Sequence, residues 1–210
     1  MGEGHDPRNS GYGWVAWFVG LPGSGKSSVA AAVRESLQAR GVAVRLLQMD
    51  VQRKHYFPHP KYTAEERRRA YTLFAEEAAE LAAAGHNVFM DGTAPQVVMR
   101  EYARALVPCF AEIHIQCRLE TAMYRESERE GGMVMAELYR KALHRQRTGE
   151  QFEGLGQVVG VDVEFETNPA AECVIPNDAI SLAAARDAVL ECFGPWRRAV
   201  QRGHTESKPK

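Results

Sequence analysis

An eight-residue run near the start of the chain limits its possible folds more than any other feature. Gly20-Leu21-Pro22-Gly23-Ser24-Gly25-Lys26-Ser27 satisfies G-x-x-x-x-G-K-[ST] at every fixed position. The apolar run Trp14 to Val19 precedes it, and the helix-forming stretch Ser27 to Arg40, closed by Gly41, follows it. Glycines allow backbone angles that turn successive N–H groups toward one point, and the helix adds the positive end of its dipole. Such a loop holds phosphate oxygens. Gly20, Gly23, Ser24, Gly25, Lys26, Ser27 and Ser28 are therefore the expected nucleotide contacts. Within them Lys26 would reach the β/γ-phosphates and Ser27 would ligate Mg²⁺, so ATP and Mg²⁺ are the expected cofactors.

The rest of the chain alternates strand and helix signals. Strands are expected at Ala43 to Leu47, Asn87 to Met90, Ala111 to Cys117 and Glu172 to Ile175. Helices are expected from the Thr63/Glu66 capping box to Gly85, from Pro95 to Leu106, from Leu119 to Glu130, from Met135 to Thr148 and from Ser181 to Phe193. His55 to Pro60 reads as a loop, and residues 149–168 as a long loop with functional contacts. This order predicts an α/β P-loop NTPase-type three-layer sandwich, with a mostly parallel five-stranded sheet and a helical lid. Residues 14–195 form the domain, with the lid at about 125–150. Residues 1–13 read as a flexible lead and 196–210 as a disordered tail.

Ligands of parallel sheets bind at the carboxyl ends of the strands. Gly20, Asp50, Asp91 and Cys117 are expected at such ends. Asp is scarce, six residues against 21 Glu, which singles out Asp50 and Asp91. Val88-Phe89-Met90-Asp91 has the pattern of an apolar strand delivering a metal-supporting carboxylate. Asp50 would orient or deprotonate an acceptor hydroxyl, and the two roles can be exchanged. Lys26, Asp50 and Asp91 are thus the catalytic candidates, with Ser27 and Asp91 for the metal. One helical turn on from Asp50, Arg53 could bind an acidic substrate group or lie on a solvated surface. Phe57 and Phe152 could stack on a base or anchor their loops to the core. Arg67-Arg68-Arg69 reads as a solvated helix face.

Several classes are excluded. No Asn-Lys-x-Asp guanine-reading motif and no Leu-Ser-Gly-Gly-Gln signature occurs, and 210 residues are too few for a motor or helicase core. A small-molecule kinase remains. With 26 basic and 27 acidic side chains there is no global charge to attract nucleic acid. No apolar run approaches the ~18–20 residues of a membrane span. No CxxC pair occurs, so all four cysteines are expected as reduced thiols in a cytoplasmic protein. His55 and His59 share i, i+4 spacing, but Pro58 and Pro60 argue against a helix that would make them a metal pair.

Longer stretches resemble the adenylylsulfate kinase family, which transfers the γ-phosphate of ATP to the 3′-hydroxyl of adenosine 5′-phosphosulfate. Ala16-Trp17-Phe18-Val19 leading into GLPGSGKSS is similar to that family's W-L-T-G-L-S-G-A-G-K. Leu46 to Arg53 resembles L-L-D-G-D-x-x-R, with Gln48 where the first acid stands. Leu138 to Ala142 resembles G-L-Y-K-K-A, Phe152 to Leu155 resembles F-T-G-I, and Phe165-Glu166 with Asn168-Pro169 resembles Y-E-x-P-x-N-P. The resemblance implies a nucleotide-like acceptor, contacts to it from Arg53, Arg140, Lys141 and Phe152, and a possible homodimer. Arg125, with Arg140 and Lys141, lies in a basic stretch that resembles a kinase lid over the phosphates, and the loop between Arg53 and Thr63 that carries Phe57 is unlike the family's. The departures lie on the acceptor side. Gly92-Thr93-Ala94-Pro95 replaces F-I-S-P and loses its serine, while Asp91 adds a carboxylate more like that of gluconate kinases. Another nucleotide-linked metabolite or sugar acid is therefore the alternative acceptor. A nucleotide-binding regulatory module and a polynucleotide 5′-kinase are the rival classes.

Overall fold

The computed structural model describes residues 11–60, 63–128 and 137–205, the side chains of 201–205 excepted. Five strands, β1 (Val15–Val19), β2 (Arg45–Gln48), β3 (Val88–Asp91), β4 (Phe110–Gln116) and β5 (Cys173–Pro176), form one sheet in the order β2-β3-β1-β4-β5. Every pairing is parallel. Among the described residues seven helices connect and cover them: α1 (Lys26–Gln38), α2 (Met49–Tyr56), α3 (Ala64–Ala83), α4 (Val97–Leu106), α5 (Leu119–Ser127), α6 (Leu138–Thr148) and α7 (Leu182–Thr205).

The central strand β1 explains the layering. All five of its residues are fully buried, which is why the run is apolar throughout instead of alternating. Ala16 and Phe18 face α1 and α7, where they join Val29, Val33, Val189 and Phe193. Val15, Trp17 and Val19 face α3 and α4. Trp17 packs there against Tyr71, Phe74 and Phe110, with ring centroids 5.8–6.5 Å apart. The chain leaves β1 toward one edge of the sheet and β3 toward the other. Their carboxyl ends therefore flank the crevice where parallel sheets bind ligands.

The Thr63 capping box forms as expected, with the Glu66 N–H donating to the Thr63 hydroxyl at 3.1 Å. Three expectations are corrected. Asp50 does not end a strand: β2 stops at Gln48 and Asp50 lies in the first turn of α2, replacing part of the expected loop. Gln52 and Tyr56 bond Glu77 of α3, which holds this short helix until Phe57, where Pro58 forbids its continuation. The closing helix does not end near Phe193. It continues past Pro195 to Thr205, with Trp196 stacked on Phe193 at 5.2 Å and Val200 packed on the core, through much of the segment that reads as a tail in the sequence. Finally, Cys173 and Cys192 form a disulfide between β5 and α7, leaving Cys109 and Cys117 as thiols. Residues 1–10, most of the lead, and 129–136 of the expected lid lie outside the described residues.

Candidate active site

A cavity of about 410 Å³ opens over the ends of β1, β2 and β3. The P-loop forms one wall, with Pro22, Gly23, Lys26, Ser27 and Ser28 facing the cavity. The loop is tightly braced. Gly23 has φ 83, and a Cβ there would lie 2.2 Å from the Ala122 carbonyl oxygen of α5, so no other residue fits. Gly25 caps α1 at φ 89. The Asn177 side chain, just after β5, donates to the Ser24 carbonyl at 2.7 Å, and the Tyr139 hydroxyl of α6 donates to the Pro22 carbonyl at 2.8 Å. Lys26 Nζ donates to the Leu21 carbonyl at 3.4 Å, which folds its ammonium over the loop. Gly20 and Ser24 frame the loop from below rather than lining the cavity: a Cβ on Gly20 would stand 2.4 Å from the Ile115 carbonyl oxygen.

Asp91 ends β3 beside Ser27 and is 5% exposed. Burial pushes its carboxyl above the usual carboxylate range, and Asp50 adds to this. Lys26, the Ser27 hydroxyl and the Gln48 amide pull it back. Its Oδ2 accepts from Gln48 Nε2 at 3.4 Å, while Oδ1 is buried with no hydrogen-bond partner. A buried carboxylate oxygen without a donor is costly, and a hydrated cation would satisfy it. Among the described residues no three His, Cys, Asp or Glu side chains gather into a metal cluster. The donor set therefore suits Mg²⁺, which keeps several waters and takes one or two protein ligands plus phosphate oxygens. Asp91 and Ser27 are the side chains that would hold it.

Asp50, Arg53, Arg67 and Tyr71 form the opposite wall. Arg53 is buried and pairs with Glu66 at 3.5 Å. Arg67 is not on a solvated face as the sequence suggested: it lines the cavity and donates to the Gln157 carbonyl. Burial lowers its hold on its proton and Arg53 adds to that, against Tyr71 and Asp162. Tyr71 is buried, and burial raises its phenol, so it stays protonated at neutral pH. Its hydroxyl accepts the Ala94 N–H at 2.9 Å. Ala94, in the loop after Asp91, holds φ 41, a conformation unusual for a residue with a side chain. Arg100 fixes the next peptide of the same residue, donating to the Ala94 carbonyl at 2.7 Å.

The long loop after α6 contributes Gly154, Gly156, Gln157, Val158 and Val159 to the cavity. Arg145 holds it there through the carbonyls of Leu155 (2.9 Å) and Gly156 (3.1 Å) and through the Asp162 carboxylate at 2.6 Å.

The structure thus gathers Lys26, Ser27, Ser28, Asp50, Arg53 and Asp91 around one cavity. Outside the P-loop, five expected contacts do not line it. Arg125 donates to the Asn177 and Asp178 carbonyls at 2.7 and 3.0 Å, bracing the loop that in turn braces the P-loop. Arg140 is exposed and pairs with Glu137, and Lys141, on α6, is not among the residues that line the cavity. Phe57 packs on the core, and Phe152 meets the His144 ring at 5.7 Å. Gln48, Arg67, Tyr71 and Thr93 were not singled out as site residues. The capping box, which puts Arg67 in the first turn of a helix entering the site, was the available signal for that residue.

Residues 12–176 match the family model for adenylylsulphate kinase. A probable adenylyl-sulfate kinase from Archaeoglobus fulgidus is 30% identical over 165 residues, covering 79% of this chain and 96% of its own. An adenylyl-sulfate kinase from Geotalea uraniireducens is 31% identical over 185 residues, 87% of this chain and 81% of its own. The Mycobacterium tuberculosis APS kinase, solved in complex with AMPPNP and APS, shares the fold with a TM-score of 0.71 at 24% identity, over 87% of this chain and 98% of its own. A sugar kinase from Janibacter also shares it, with a TM-score of 0.63 at 18% identity over 90% and 98% of the two chains.

Proposed function

The chain belongs to the adenylylsulphate kinase family, and from that premise we propose that it transfers the γ-phosphoryl group of ATP to the 3′-hydroxyl of adenylylsulfate, giving 3′-phosphoadenylylsulfate and ADP. The family consists of phosphotransferases that use ATP with Mg²⁺. The observation that carries the choice of acceptor is the wall facing the P-loop, where the Arg53 and Arg67 guanidiniums share a cavity with Asp50. Two cations facing one cavity, Arg53 buried and Arg67 half-buried, suit an acceptor bearing strong anionic groups, and an adjacent carboxylate suits its hydroxyl.

In this reading the backbone N–H groups of Gly23 to Ser28 and the Lys26 ammonium hold the ATP phosphates. Asp50 orients the acceptor hydroxyl and takes its proton as the new O–P bond forms. Lys26 stabilises charge on the phosphoryl oxygens as the bond to ADP breaks. Arg53 and Arg67 fix the anionic end of the acceptor so that its hydroxyl points at the γ-phosphate. Ser27 and Asp91 would hold Mg²⁺, which when bound would supply neutralisation of the phosphate charge. Acceleration comes from alignment and electrostatic stabilisation, because phosphoryl transfer needs little covalent chemistry from the protein.

ATP consumption measured with adenylylsulfate, cytidine nucleotides, gluconate-like sugar acids and oligonucleotide ends tests the assignment. Turnover with adenylylsulfate, abolished in a folded Lys26→Ala variant, is the expected result. Turnover only with another acceptor would transfer the reading to that substrate. A second reading, a sugar-acid kinase, draws on the acceptor-side loop, where Asp91 precedes Gly92-Thr93-Ala94-Pro95 and the family's serine is absent. Among the described residues no helix is long and apolar enough to cross a membrane. A cytoplasmic homodimer completes the proposal; light scattering of the purified chain measures the oligomer.

A further inference from the structure

Gln48 and Asp91 are direct register partners at the last rung of the β2–β3 ladder, so their side chains leave the sheet on the same face. Both line the cavity beside Ser27. The Gln48 amide donates to Asp91 Oδ2 at 3.4 Å, and Oδ1 is the buried oxygen without a protein partner. The two oxygens of one carboxylate are thereby distinguished: one is engaged by the sheet neighbour and the other is available.

We propose that Gln48 is a positioning residue, whose amide fixes the rotation of the Asp91 carboxylate and reserves Oδ1 for the hydrated metal of the bound nucleotide. The proposal rests on the reading of Asp91 as the metal-supporting carboxylate. An amide suits the position because it donates a hydrogen bond without adding charge. A carboxylate at 48 would set two like charges on the same rung of neighbouring strands, with Asp50 two residues further on. An aliphatic side chain would remove the amide donor and leave the Ser27 hydroxyl, itself assigned to the metal, as the neutral donor beside the Asp91 carboxylate. In the family pattern L-L-D-G-D an acid stands at the place of Gln48, and here the acid stands one strand over, with the amide in its former place. The amide and the carboxylate form a single unit spanning two strand ends. Outer partners of metal-supporting side chains commonly tune metal affinity by about 10–100-fold.

The test uses the full chain with AMPPNP bound and Mn²⁺ as a stand-in for Mg²⁺ that is visible by electron paramagnetic resonance. Gln48→Leu should weaken Mn²⁺ binding by about tenfold or more, while AMPPNP binding measured in EDTA stays at the parent value. The exchange variant Gln48→Glu/Asp91→Asn keeps one charge, one amide and their mutual hydrogen bond, and should recover most of the lost affinity. A merely structural role for Gln48 would not produce that recovery. Parent-like Mn²⁺ affinity in Gln48→Leu, with affinity lost in Asp91→Asn, overturns the positioning role alone. An exchange variant no tighter than Gln48→Leu also overturns it. Parent-like affinity in Asp91→Asn instead overturns the metal-supporting role beneath it. If thermal melting shows Gln48→Leu to be unfolded, Gln48→Met takes its place with the same expectation.

Discussion

The side chain of Asn177 donates to the main-chain oxygen of Ser24 at 2.7 Å, joining the loop after the edge strand β5 to the P-loop across 153 residues. Asn177 is itself held from both sides: its N–H donates to Gln116 at 2.7 Å, and its carbonyl accepts from Arg125 at 2.7 Å. P-loop geometry therefore depends on the far edge of the sheet. Asn177→Ala leaves a buried carbonyl unpaired and should cost about 1–3 kcal/mol in denaturant unfolding. It should also weaken ATP binding, because the backbone N–H groups that face the phosphates lose their brace. Unchanged nucleotide affinity in a variant that still folds would show that the loop holds its shape without Asn177.

Tyr71 does for the acceptor side what Asn177 does for the nucleotide side. Its hydroxyl satisfies the Ala94 N–H and steadies a left-handed residue three positions after Asp91. Conformations of this kind persist only where their surroundings over-determine them. Tyr71→Phe removes the acceptor while keeping the ring against Trp17. The expected outcome is a loss of about 1–3 kcal/mol in stability and a fall in kcat, with ATP affinity maintained. A variant with parent-like kcat would show that the loop is fixed by Arg100 alone.

These two contacts mark where sequence reading succeeds and where it stops. The P-loop, the parallel sheet, the Asp91 strand end and the Thr63 cap were legible because each depends on residues within a few positions of one another. Tyr71 and Asn177 were not, because their roles exist only once distant segments meet. Arg67 was misread for the same reason: Arg67-Arg68-Arg69 looks like a charged surface until the loop at Gln157 covers its first member. Arg125 and Arg145 were legible as cations but not as braces, since both serve backbone carbonyls that carry no sequence signal. The Phe165–Asn168 segment matched its family pattern, and the structure supplies the physical content. Asn168 donates to the Glu112 carboxylate at 2.8 Å, and Glu112 pairs at 3.2 Å with the Arg100 that holds Ala94.

Arg67 tests the acceptor wall directly. Arg67→Ala should raise the KM for an anionic acceptor by about 10–100-fold, the loss of one charge-assisted contact of about 1.5–3 kcal/mol, while the KM for ATP moves little. Arg67→Lys should recover only part of the loss, because an ammonium cannot reproduce the planar fork of the guanidinium. Steady-state kinetics with each substrate varied in turn separates the two effects. Equal changes in both KM values would remove Arg67 from the acceptor wall and make it a support for the Gln157 loop.

His114 gives the fold a pH dependence of known sign. It lies buried in β4 with its ring 4.9 Å from Phe165, and burial pushes its pKa down to about 4, with the Arg100 charge adding to the shift. An unfolded histidine titrates near 6.5. Between those values the unfolded chain binds a proton that the folded chain refuses, so stability must fall as pH falls through that window. The contribution of neutral His114 is complete above about pH 6.5 and is lost progressively toward pH 4. Glu112, on the same strand, has its carboxyl raised by burial and opposes this trend at the acid end. Comparison with His114→Gln isolates the histidine, since Glu112 is common to both chains. Urea unfolding at pH 8, 6 and 5 should give parent stabilities that drop more steeply than those of the variant. Parallel pH profiles would mean that His114 takes up its proton in the folded state as readily as in the unfolded one.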